Sequence, residues 1–555
     1  MKKIVLFILL SAFMLSSCSA DKGPDFSEFV KSETENHESS FYTVITNEET
    51  GEEFFELKKQ EIPVQSIIQK EYSDKLSSLS EFDYESLNED EKLLYDILKR
   101  DYEIKKSGAK YTLYDDILSS ETGVHISLVN SLCDFEIKDK SDAEKYLSLY
   151  EDVKGFIDSV IAYEKKRSDA GITRHKNDAE IIVSDCLSIA ENPERIMSAF
   201  EKKLKSINIT DTERKELISE HNRLTKEVFV PAYKKLAREI KKFPTRTTGG
   251  LSTISDGKEY YAQKISSFYG KEINPDEIIK NLDNDLYYYE GIFLSTASSF
   301  PETFYEDNFG IEIPYSSVEE ILPDYLKKAE NNFPYLEKFV PETEYTSILK
   351  FPVMADEKKL TKVKISTVYP INETMDYISS DFFPGGAYRD FAYENYVSDS
   401  RRKAFKNESF SDGWDMYAKC EMNKLVYGNT PSQTLMNSNS VFWVMIIARV
   451  DMGVNYEGWG ETEVDNFFKE HNLSVPLAEY YYNLAVQKPF YCMKDYLCFH
   501  EITSAKENLK STYGRGFDEK LFNETVIKNG YLPLDIMNER IISDYNKSVS
   551  ETNEE

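Results

Sequence analysis

Apolar side chains spaced for one face of an α-helix dominate this chain and direct it toward a mainly helical fold. Tyr146, Leu147, Leu149, Tyr150, Val153, Phe156, Ile157, Val160 and Ile161 recur at helical spacing. Ser141-Asp-Ala-Glu144 precedes them as a predicted capping box, and Gly171 follows as a predicted C-terminal cap. Leu87, Leu94 and Leu98 repeat the pattern, widened by Leu93, Tyr95 and Ile97. His221 to Ile240 does so again, with Pro231 marking a kink or break. Alternating β-branched runs are short. Lys359 to Tyr369 is the best strand candidate, with Val363, Ile365 and Thr367 on one face. No Pro/Gly/Ser linker and no internal repeat interrupts the middle of the chain. These features predict one large helical domain over residues 41–547 with a small β element.

The first residues read as an export signal over residues 1–17. Lys2 and Lys3 precede an apolar run from Ile4 to Leu15, too short for a permanent membrane span. Leu15-Ser16-Ser17-Cys18 then resembles the bacterial lipobox, which implies a lipid such as palmitate on the Cys18 thiol. Two or more acyl chains anchor stably where one does not. The expected location is the extracytoplasmic face of the cell membrane. Residues 18–40 are polar and charged and are predicted to form a flexible tether, and residues 548–555 a disordered tail.

The formal net charge of -31 disfavours nucleic acid as a partner, and no basic stripe offsets it. Beyond Cys18, the cysteines Cys133, Cys186, Cys420, Cys492 and Cys498 lack zinc-knuckle or Cys-x-x-Cys spacing, so buried free thiols are expected. Histidines number six, which restricts metal chemistry.

Several segments, in order, resemble the bacterial family called domain of unknown function 885. They are Phe82 to Tyr95, Gly250-Leu251, Asp256-Gly-Lys-Glu-Tyr-Tyr261, Pro384-Gly385, Asp412-Gly-Trp-Asp-Met-Tyr417, Asp451-Met-Gly-Val-Asn-Tyr-Glu-Gly-Trp459, Phe522 and Gly530-Tyr-Leu-Pro-Leu534. The resemblance implies a helical scaffold similar to the Glu-zincin (gluzincin-like) zinc peptidases. Such a site would take zinc on two imidazoles and a carboxylate, with a second carboxylate as base. The family's metal motif is His-Glu-x-x-Pro-Gly-His, joined by the Glu of a Glu-Gly-Trp segment.

At the matching positions this chain carries Ser380 for the first His, Asp381 for the Glu, Gly386 for the second His and Asp412 for the third ligand. Asn523 replaces the His of a C-terminal Phe-His pair. Both imidazoles are gone, so no intact catalytic set and no cofactor are expected. Zinc would be held only if ligands distant in sequence converged. The resemblance therefore implies a degenerate peptidase-like domain that binds peptide or another envelope ligand without cutting it. One alternative is an atypical metal-dependent hydrolase, with Asp381 and Asp412 holding calcium or magnesium through waters. Another is a solute-binding lipoprotein, although such proteins alternate strands and helices.

Other constellations are weaker. His500-Glu501 is half a zincin motif, but Ser504 stands where the second His would be. Ser380 lacks a nucleophile elbow. Gly453, Gly458 and Gly460 do not form a dinucleotide fingerprint. Trp414, Tyr417, Arg449, Asn455, Tyr456 and Glu457 are candidates for a ligand groove, with core packing or capping as the competing role for each. Arg401 and Arg402 could steady a carboxylate ligand or pair with neighbouring acids.

Overall fold

A computed structural model describes residues 25–35, 41–46, 53–119, 123–334 and 336–554. It is 71% helical with a few small sheets, so the mainly α expectation holds. The signal segment and Cys18 lie outside the described residues.

The predicted Lys359–Tyr369 strand is present as Lys362–Ser366, with Val363 and Ile365 fully buried. It is the centre of a three-stranded sheet, parallel to Glu342–Thr346 and antiparallel to Val353–Ala355. Thr367 falls just past its end and is exposed. An antiparallel pair, Tyr42–Thr46 with Glu53–Leu57, is a second element. A third is a two-residue parallel bridge in which Arg174 pairs with Thr245 and His175 with Arg246.

The apolar run from Tyr146 folds as two helices rather than one, Lys140–Glu151 and Val153–Asp169. The cap is corrected too. Asp139, not Ser141, accepts from the Asp142 amide, because the helix begins one residue before the predicted box. Gly171 has φ +78° just beyond the second helix, the left-handed conformation its C-terminal role requires. The break at Pro231 is a π-helical turn, Thr225–Phe229, between Asp211–Leu224 and Val230–Ile240. Pro231 near the start of the second helix has no N–H to donate, and the wider turn accommodates it.

Two end segments differ from expectation. Within the predicted tether, Phe26–Glu35 is a helix whose Phe26 and Val30 are buried against Leu79, Leu94, Leu98 and Tyr102. Phe26, Phe29 and Val30 are spaced to share one helical face, which is enough apolar surface to dock an otherwise charged segment. The predicted tail is also helical, since the last helix runs from Leu534 to Glu554. It carries Ile541 and Tyr545 into the core upstream, so the tail prolongs a helix already anchored.

The core has two large parts. One, between Leu57 and Ile240, is built from N-terminal helices around Tyr146, Tyr150 and Tyr233. The other spans most of the C-terminal half around Trp414, Tyr417 and Phe522. All five described cysteines are free thiols, and four are buried. Among the described residues, no helix is long and apolar enough to cross a membrane.

Candidate functional site

Ser380, Asp381 and Gly386 sit on elements that the sequence places for local reasons. Ile371–Tyr377 is a helix that opens into a π-helical turn, Ile378–Phe382, carrying Ser380 and Asp381. A cis Phe383–Pro384 bond follows, and Gly386 begins the helix Gly386–Tyr396. Ser380 donates to its neighbour Asp381 at 2.6 Å. Burial raises the Asp381 carboxyl above its ordinary range, with that hydrogen bond acting against it. The Pro384 carbonyl accepts from Trp414 Nε1 at 3.0 Å, which locks the turn to the helix Ser409–Tyr427.

Asp412 lies in the first turn of that helix and is ion-paired with the Lys494 ammonium. Arg389 is shared among Asp415 (2.8 Å), the Ser411 carbonyl (2.9 Å), Asp390 (3.0 Å) and Tyr531 (3.0 Å). Burial pushes the Asp415 carboxyl up to about 8; Arg389 pulls against this, and Asp412, Asp381 and Asp390 add repulsion. Asn523 is fully engaged, accepting from Tyr417 at 2.8 Å and donating to the Asn332 carbonyl at 2.7 Å. Among the described residues, no three His, Cys, Asp or Glu side chains converge as a metal site. The residues present do not fit zinc. Ser380 offers a hydroxyl and Gly386 no side chain where imidazoles are needed, and the Lys494 ammonium pairs with Asp412.

Asp412 opens onto a cavity of about 780 Å³ between the N-terminal helices and the C-terminal half. This volume is in the range of ligand pockets. Its wall is strongly charged on one side. Arg174 bonds Asp116 (2.5 Å), Glu164 (3.0 Å) and Asp178 (3.1 Å), and Arg167 bonds Glu164 (3.0 Å). The two-residue bridge sets Arg174, His175 and Arg246 side by side on this wall. A second part of the wall is the segment Val486–Asp495, which includes Phe490, Lys494 and Asp495. Burial pushes the Asp495 carboxyl up to about 7, and repulsion from Asp412 adds to it.

The Asp451–Trp459 segment holds that second part of the wall in place. Asn455 is fully buried and accepts from the Leu251 amide at 2.8 Å. It donates to Asp451 Oδ1 at 2.8 Å and to the Ala485 carbonyl at 3.0 Å. Asp451 accepts from Tyr261 at 2.6 Å and from the Phe490 amide at 3.0 Å, and Phe490 stacks on Tyr261. A Cβ on Gly250 would lie 2.3 Å from Asn455 Oδ1, so only glycine permits this approach. Three sequence segments, 250–251, 256–261 and 451–459, are thus one hydrogen-bonded unit.

None of the six groove candidates lines the cavity. Trp414 and Tyr417 are core residues. Arg449 is held by Asp283 (2.7 Å) and Glu457 (2.5 Å) and lies over the Trp459 ring. Asn455 is structural, and Lys258 sits over the Tyr456 ring at 4.9 Å. Arg401 pairs with Asp399, and Arg402 donates to the Lys528 carbonyl. His500 bonds Asp285 at 2.6 Å, and Glu501 accepts from Tyr269 and Asn538, so that pair is also consumed in packing. Sequence reading missed Arg174, Arg246 and Asp495. Arg174 and Asp178 at i,i+4 were a local hint, but the others meet only through the fold.

These features define a large, mainly helical fold with a charged cavity beside Asp412. The family model described as "Bacterial protein of unknown function (DUF885)" matches residues 66–287 and 389–541, more than half of the chain. The chain belongs to this family. Two solved structures are similar in fold. One is the crystal structure of a "putative lipoprotein" from Colwellia psychrerythraea, at 13% identity and TM-score 0.68, covering 88% of this chain and 92% of that one. The other is a "putative lipoprotein of unknown function" from Shewanella oneidensis, at 15% identity and TM-score 0.63, covering 86% and 93%. No curated protein matches.

Proposed function

We propose that this protein is a lipoprotein anchored through Cys18 on the extracytoplasmic face of the membrane, whose cavity binds peptide or another envelope ligand without hydrolysing it. The carrying observation is the Lys494 ammonium on Asp412. A cation of the protein stands at the carboxylate that a zinc peptidase of this kind would offer to its metal. Ser380, Asp381 and Gly386 cannot replace the missing imidazoles, and Asn523 is tied into the core. The lipobox-like N-terminus supports the anchor, as do the lipoprotein descriptions of both similar structures. No resident metal forms part of this reading.

The test is incubation of the purified mature chain with a pool of random peptides and added zinc, followed by mass spectrometry. The expected result is retention of intact peptides with no new cleavage products. Cleavage that a chelator abolishes would overturn the reading.

A further inference from the structure

We propose that the cavity takes a short zwitterion of the peptide class, its amino group on Asp495 and its carboxylate on Arg246. This rests on the ligand-binding reading above and adds the polarity of the ligand.

Asp495 lines the cavity and is half-buried. Among the described residues, its carboxylate has no hydrogen bond from another side chain and no cation within ion-pair distance. The adjacent Lys494 ammonium is committed to Asp412. A carboxylate withdrawn from water beside a second carboxylate, with its own backbone amide as a donor and no side-chain donor, is suited to an incoming N–H or ammonium. Such a ligand would relieve both the lost hydration and the repulsion from Asp412.

Arg246 is the complementary end. Its neighbours Arg167 and Arg174 are surrounded by Asp116, Glu164 and Asp178. Arg246 instead donates to backbone carbonyls, those of Gly249 (3.0 Å), Thr173 and Val486 (3.5 Å). Among the described residues, no carboxylate lies within ion-pair distance of it. A guanidinium has five N–H donors, so hydrogen-bonding capacity remains for an anion. Burial lowers its pKa to about 10, and it stays a full cation at neutral pH. Three carbonyls fix its plane, which suits recognition of a carboxylate.

Phe490, Tyr260 and Leu251 supply apolar surface in the same cavity. A ligand that satisfies both charged groups and this surface has an amine, a carboxylate and an apolar body. Short peptides with free ends have all three. The segment from Val486 to Asp495 carries one contact of each end, since Arg246 binds the Val486 carbonyl and Asp495 closes the segment.

The test uses the mature chain in detergent and a pool of tripeptides randomised at all three positions. The pool is supplied in three forms: free-ended, N-acetylated and C-amidated. Retained peptides are quantified by mass spectrometry after equilibrium dialysis. The expected result is that each capped pool is retained at least about tenfold less than the free-ended pool, as loss of a hydrogen bond to a charged group requires. Asp495→Asn should erase the penalty for N-acetylation and leave the penalty for amidation. Arg246→Gln should do the reverse. If that variant fails to fold, the amidated pool on the unaltered chain still tests the carboxylate end. Equal retention of all three pools would overturn the zwitterion assignment while leaving peptide binding intact. Retention of none of them would overturn both.

Discussion

Asn455→Ala is expected to destabilise the protein by about 3 kcal/mol or more and to abolish ligand retention in the cavity. The Asn455 side chain is fully buried and joins the Leu251 amide, the Asp451 carboxylate and the Ala485 carbonyl. Alanine would leave buried donors and acceptors without partners and would open a void beside Gly250. The loss would also reach the cavity. Asp451 holds the Phe490 amide, and Phe490 stands on the cavity wall. Chemical denaturation gives the stability change, and the dialysis assay gives the binding change. A variant within about 0.5 kcal/mol of the unaltered chain, the size of an ordinary surface substitution, would show that this unit does not brace the fold.

Lys506→Met should cost about 3–5 kcal/mol at neutral pH, because it removes one partner of a buried ion network. Lys506 is buried and reaches Glu519 (2.8 Å), Glu421 (3.0 Å) and the Tyr417 hydroxyl (2.9 Å). Burial alone would raise the Glu421 carboxyl. Lys506 and Lys424 outweigh it and hold the group at about 2, below its ordinary 4.5. A carboxyl depressed in the folded state adds stability above its unfolded pKa, and that stability is lost as pH falls through the folded value. The variant lacks most of this contribution. The gap between variant and unaltered chain should therefore be widest near pH 7 and should narrow as pH drops from about 4.5 towards 3. Denaturation curves at pH 7 and pH 3.5 measure it. A gap independent of pH would mean that the loss comes from packing of the lysine stem alone.

The helical character of the chain was legible because amphipathic spacing is a local property. So was the strand around Val363 and Ile365, and so was the end of a helix at Gly171. Boundaries were less legible. Asp139 and Ser141 are both good caps, and only the position of Tyr146 and Leu149 in the core decides between them. Phe26–Glu35 looked like tether because seven of its ten residues are polar or charged, yet three apolar side chains on one face dock it. The candidate site was half visible. That neither Ser380 nor Gly386 offers an imidazole could be read directly. The Lys494–Asp412 ion pair could not, since 82 positions separate the two residues in sequence. Nor could the pairing of Arg246 with the Val486 carbonyl, which the tertiary fold alone creates. The groove candidates Asn455 and Arg449 were named for their polarity, but their hydrogen bonds are spent inside the protein.

The most direct test of the proposal that this chain binds its ligand without a metal is the zinc content of the purified mature chain, by elemental analysis after dialysis against zinc and then buffer. The expected result is no stoichiometric zinc, with the Lys494–Asp412 ion pair left in place. One tightly held zinc per chain would contradict the account. It would mean that the carboxylates around Asp412 release Lys494 and assemble into a metal site.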